Sequence, residues 1–116
     1  MELNKHGVNA CIKAHLLPDT EMRKIGFTDY REGYWYFCRD LGYEISFSIT
    51  INKNDAEDLR IDILDEDYCQ PYDYQKYLKN IPENEFVLKI KDKVEHWMEY
   101  LQNFGVLSGH VKEEYI

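Results

Sequence analysis

Apolar residues fall at Ile45, Phe47, Ile49 and Ile51, with Ser46, Ser48 and Thr50 between them. A strict period of two with one hydroxyl-bearing face predicts an antiparallel strand buried on one side. Leu59-Arg60-Ile61-Asp62-Ile63 repeats the alternation, and Asn52-Lys53-Asn54-Asp55 between the two runs is turn chemistry. Upstream, the aromatic run Tyr34-Trp35-Tyr36-Phe37-Cys38 reads as a strand, bounded by Gly33 and by Asp40-Leu41-Gly42. Short connections make a three-stranded meander the simplest topology. A fourth strand from the tail Val106–Ile116 is left open.

Helical spacing takes over elsewhere. Val87, Ile90, Val94, Trp97, Met98, Leu101 and Phe104 step mostly by three and four, while Lys89, Lys91, Asp92, Glu95 and Glu99 occupy other faces. This predicts a long helix, opened by the capping-box variant Asn80-Ile81-Pro82-Glu83 and ended by Gly105. Val8, Cys11, Ile12, His15 and Leu16 predict a first amphipathic helix over about Asn4–Leu17, stopped by Pro18. Asp19 or Thr20 is then expected to cap a short helical turn through Met22 and Ile25, with Gly26 closing it. A further short helix is expected from about Pro71 to Leu78, since proline suits a first helical turn.

Assembled, these elements predict a single α+β domain over residues 1–116. It has two layers, with the N-terminal helix and the long C-terminal helix packed on one face of the meander. Ile45, Phe47, Ile49, Ile51, Leu59, Ile61 and Ile63 are expected to face Ile90, Val94, Trp97 and Leu101. Trp97 is expected to be buried against Phe47 and Ile49.

Charge narrows the chemistry. Lys and Arg number 14 against 22 Asp and Glu, a net charge of −8. Residues 29–85 alone carry six bases against fourteen acids. A phosphate-backbone binder needs concentrated Lys and Arg, so direct nucleic-acid binding is not expected. No apolar run is long enough to span a bilayer, and the opening MELNKHGVNA lacks the apolar core of a signal peptide. A cytoplasmic location with no membrane partner follows as the expectation. Cys11, Cys38 and Cys69 are odd in number and widely spaced, which reads as reduced thiols rather than a disulfide framework. Cys11 and Cys38 lie in apolar company and read as small core residues.

The most chemical-looking stretch is the acidic run Asp62, Asp65, Glu66 and Asp67. It lacks the central glycine and alternation of an EF-hand loop, and the chain has no acid-x-Lys step of the kind two-metal nucleases add. His6, His15, His96 and His110 are scattered singly, the six glycines are isolated, and no serine sits in a nucleophile elbow. No cofactor is expected. Tyrosine is the unusual count, at ten, and Tyr68, Tyr72, Tyr74 and Tyr77 fall beside the acidic run. Tyrosine offers large contact area at low entropic cost. The leading expectation is a non-catalytic protein-binding module of inhibitor, immunity or adaptor type. Its acidic, Tyr-rich face comprises Asp62, Asp65, Glu66, Asp67, Tyr68, Tyr72, Asp73 and Tyr74, and its partner is a basic protein. The alternative is a small divalent-metal-dependent hydrolase using the Asp62, Asp65 and Asp67 carboxylates.

Overall fold

A computed structural model describes residues 12–109 of the chain. In chain order the elements are β1 (Lys13–Ala14), α1 (Asp19–Ile25), β2 (Tyr34–Asp40), β3 (Ile45–Asn52), β4 (Asp55–Asp65), β5 (Gln70–Pro71), α2 (Tyr74–Asn80), α3 (Glu85–Asn103) and β6 (Leu107–Ser108). Strands β2 to β5 form one antiparallel sheet in sequence order, and β1 pairs with β6 in a separate two-stranded ribbon. The architecture is α+β, with the long C-terminal helix as its main covering layer. No helix of the described residues is long and apolar enough to cross a membrane.

Strand β3 occupies the middle of the sheet. Its register sets Ile49 opposite Phe37 on β2 and Ile61 on β4, and Phe47 opposite Arg39 and Ile63. These apolar side chains are buried together with Ile90, Val94, Met98 and Leu101 of α3. Burial of each contributes about 1.5–3 kcal/mol relative to exposure. The fourth strand is not the tail but the short β5, which covers Leu64 and Asp65 of β4. The described part of the tail instead lies beside Lys13 and Ala14.

The helix expected over Asn4–Leu17 is not helical where it is described. Lys13 and Ala14 are extended, and the His15 N–H donates to the Val106 carbonyl at 2.7 Å. Residues 4–11 lie outside the described residues. Leu107 offers Ala14 an apolar strand partner, and pairing with it overrides the helical spacing. His15 is exposed and hydrogen-bonds Ser108 at 2.7 Å.

Helix α1 forms where expected, but Asp19 is its first residue rather than its cap. The Pro18 carbonyl accepts from Glu21 and Met22 N–H instead. Gly26 closes α1 with φ 123°, and a Cβ there would stand 2.5 Å from the Arg39 guanidinium, so no other residue fits unshifted. Helix α2 begins at Tyr74, three residues later than expected, because Asp73 caps it and Pro71 is in β5. Asn84, not Asn80, caps α3: its side chain accepts the Val87 N–H at 3.2 Å.

Trp35 is 2% exposed, whereas Trp97 is only partly buried at the sheet edge, edge-on to Phe37 and Tyr100. Met98 and Val94 take the central position that Trp97 was expected to hold. Arg23 and Lys53 both lie over the Trp35 ring, at 5.1 and 4.2 Å from its centroid. Asp29 binds both cations, at 2.7 and 2.8 Å.

Phe47→Ala should cost about 3–5 kcal/mol and Trp97→Ala less, about 1–3 kcal/mol, in denaturant melts followed by circular dichroism. A reversed order would show that α3 presents a different face to the sheet.

The hydrogen bond from Lys53, opposed by burial and reinforced by the charge of Arg23, holds the Asp29 carboxyl below its ordinary 3.8. A lowered folded-state value adds stability above the unfolded value, and that stability is lost as pH falls through the folded one. Asp29→Asn should therefore melt below the wild type at neutral pH. The gap should close progressively from about pH 5 downward, as thermal melts across pH would record.

Candidate functional site

Strand β4 leaves the sheet at Asp65, and the chain reverses through residues 66–69 into β5. Asp65 organises that reversal: its Oδ1 accepts the N–H of Asp67 at 3.1 Å and of Tyr68 at 3.3 Å. Such aspartate turns substitute a side-chain acceptor for a backbone one. Asp73 is used the same way at the start of α2, accepting the Lys76 N–H at 3.1 Å. Tyr74 is a core residue, buried with Leu78. Tyr72 is half-buried, its ring 5.2 Å from that of Tyr77. Burial, with Tyr77 and Asp65 nearby, raises its hydroxyl above the ordinary 10.0, so it stays protonated.

The eight residues singled out in the sequence therefore separate. Glu66, Asp67 and Tyr68 stand exposed on the turn, Tyr68 at 76%. Asp65 and Asp73 hold backbone, and Tyr72 and Tyr74 seal the turn and α2 onto the core. Asp62 lies away from all of them, on the second face of the sheet, in register with Ser48. Asp62, Asp65 and Asp67 are thus not brought to one point. No group of three His, Cys, Asp or Glu among the described residues is placed to hold a metal ion.

A second turn joins the first. Between β2 and β3, Gly42, Tyr43 and Glu44 all have positive φ, at 85°, 55° and 63°. Left-handed backbone costs about 1–2 kcal/mol at a residue with a Cβ. The cost is offset by two closing hydrogen bonds, Leu41 N–H to the Ile45 carbonyl at 2.8 Å and Ile45 N–H to the Gly42 carbonyl at 3.0 Å. Asp40 accepts the Gly42 N–H at 2.7 Å. This geometry turns Tyr43 outward, 66% exposed, with its ring edge-on to Phe86 at 4.9 Å. The Glu66 N–H donates to the Glu44 carbonyl at 2.8 Å. That bond makes the two turns one surface, bearing Tyr43, Glu44, Glu66, Asp67 and Tyr68. Tyr43, Glu44 and Phe86 carry no motif. Their only signal is a hairpin turn built from Tyr-Glu, where Asn-Gly would be easier.

The second face of the sheet is not the solvated surface that alternation predicts. Ser46 and Ser48 are 4% and 5% exposed. The register sets each between longer neighbours, Asp40 and Leu64 around Ser46, Cys38 and Asp62 around Ser48. A hydroxymethyl recessed between such side chains loses solvent. Burial, then hydrogen bonding to Cys38, pushes the Tyr36 hydroxyl up to about 12, against a smaller opposing bond with Ser48. Cys38 belongs to this polar row rather than to the apolar core. It and Cys69 are free thiols.

No family model, curated protein or solved structure matches the chain.

Asp65→Ala and Asp73→Ala should each cost about 1 kcal/mol, because each strands a backbone N–H. Glu66→Gln with Asp67→Asn should change stability by less than about 0.5 kcal/mol, as expected of exposed charges. Urea melts of the three variants measure both.

Proposed function

We propose that this chain is a non-catalytic, cytoplasmic binding module. It would engage a basic protein partner through the joined turns at the Asp65–Cys69 end of the sheet. The observation that carries this reading is the Glu66–Glu44 backbone hydrogen bond, which joins two turns bearing the exposed Tyr43 and Tyr68 beside Glu44, Glu66 and Asp67. Rigid aromatics lose little entropy on contact, and surrounding carboxylates attract a cationic surface and speed encounter. Asp65 supports the surface by holding its backbone and Asp73 caps α2 instead, so the acidic face is narrower than the eight residues singled out in the sequence. Inhibitor, immunity and adaptor roles all use surfaces of this kind.

The test is quantitative capture from the native host at physiological salt, comparing wild type with Tyr43→Ala/Tyr68→Ala and with Glu66→Lys/Asp67→Lys. The expected result is a basic protein recovered by the wild type. Each double variant should hold it at least about tenfold less, which corresponds to about 1.4 kcal/mol of lost contact or steering. Recovery of the same proteins by all three would overturn the assignment of this surface.

A further inference from the structure

The second face of the sheet holds a polar pocket of about 270 Å³. It is lined by Arg31, Tyr34, Thr50, Asp58, Arg60 and Asp62. The lining joins three separate stretches of chain. Thr50 and Arg60 are register partners on β3 and β4, and Tyr34 begins β2. Arg31 comes from the loop before it, with its guanidinium stacked over the Tyr34 ring at 4.8 Å.

The charges in the pocket are not equally engaged. Asp58 accepts a hydrogen bond from the Asn52 side chain at 3.2 Å. Asp62 has interactions of its own besides Arg60. Among the described residues, Arg31 has no carboxylate partner, and Arg60 has only Asp62 at 3.8 Å, beyond hydrogen-bond distance. In a chain of net charge −8, Arg31 and Arg60 line one pocket, and neither guanidinium has a hydrogen-bonded carboxylate among the described residues. Guanidinium is a planar fork that matches an oxyanion with two or more oxygens. Tyr34 and Thr50, also in the lining, each carry a hydroxyl that can donate. Pocket size lies at the low end for small-molecule sites. Asp58 and Asp62 line the same pocket and balance the two arginines, so it can take one oxyanion at most and excludes an extended polyanion.

We infer that this pocket binds the single oxyanion head of a small molecule, a carboxylate or a phosphate, clamped by Arg31 and Arg60. The inference is independent of the partner surface at the turns.

Isothermal titration and amide chemical-shift mapping test it, with orthophosphate and acetate as probes and sodium chloride to match ionic strength. The expected result is saturable binding of at least one probe, with shifts centred on Arg31, Thr50 and Arg60. Which probe binds more tightly distinguishes phosphate from carboxylate as the natural head. Arg31→Gln and Arg60→Gln should each weaken binding about tenfold or more, since each removes a charge-assisted donor pair. Lys24→Gln, on α1, should leave it unchanged. Both arginines are exposed, so their variants should retain the wild-type circular dichroism spectrum. No saturable binding of either probe would overturn the inference. So would binding that survives in the folded Arg31→Gln/Arg60→Gln double variant.

Discussion

Strand β3 must satisfy two neighbours and two faces at once, and the remaining elements are placed by how it does so. Its isoleucines and Phe47 meet α3, while Ser46, Ser48 and Thr50 meet the polar row of the second face. A slip of one residue would exchange the faces, sending three hydroxyls into the apolar layer. An unpaired buried hydroxyl costs about 1–3 kcal/mol, so the slipped pairing loses more than a domain of this size can spare. The irregular step in the β3–β4 ladder falls between Ile51 and Asn52, beside the turn, where it leaves the buried register intact. With register fixed, Phe37 stands beneath Trp97 and Tyr100, and Arg60 stands beside Thr50 at the pocket.

The same sheet closes its β2 edge to strand addition. Tyr36 exchanges both backbone hydrogen bonds with Thr28, and the Arg31 carbonyl takes the Tyr34 N–H. The Cys38 carbonyl is taken by the Arg39 guanidinium at 2.7 Å, and that guanidinium is held 4.1 Å over Phe37 and 5.1 Å over Trp97. An edge satisfied in this way offers no template for a passing strand. Exposed aromatic side chains lie instead on the loops and turns, at Tyr30, Tyr43 and Tyr68.

How much of this was legible depended on whether a local pattern met a local cause. The alternation of residues 45–51 and 59–63 is produced by the sheet it forms, so those strands were readable with correct faces. The long helix was readable from its apolar stripe. Which tryptophan is central was not, because Trp97 and Val94 both lie within that stripe and only the tilt of α3 on the sheet chooses between them. The first helix failed at Lys13 and Ala14 because their partner, Leu107 with Ser108, lies more than ninety residues away. Asp65 and Asp73 looked like surface charge because their spacing cannot reveal that each accepts a backbone N–H. Tyr74 looked like an exposed aromatic because its burial depends on α2 docking against α3. The Tyr43 turn and the Arg31–Arg60 pocket each join residues that are distant in the chain, so neither leaves a motif.

Charge shows the same limit from another side. Summed along the chain, Asp62 belongs with Asp65, Glu66 and Asp67, and the stretch is simply acidic. Strand alternation separates them, since Asp62 points to the second face while Asp65 is the last residue of β4 and Glu66 and Asp67 lie in the turn beyond it. Arg60 precedes Asp65 by five residues on one strand, about 16 Å at the usual rise of an antiparallel strand. The Debye length at physiological salt is about 8 Å. The field of the carboxylates on the turn therefore falls off strongly before it reaches the guanidinium groups of the pocket. A chain with a large negative total can in this way keep two arginines at one pocket and a group of carboxylates at the turns of one small sheet.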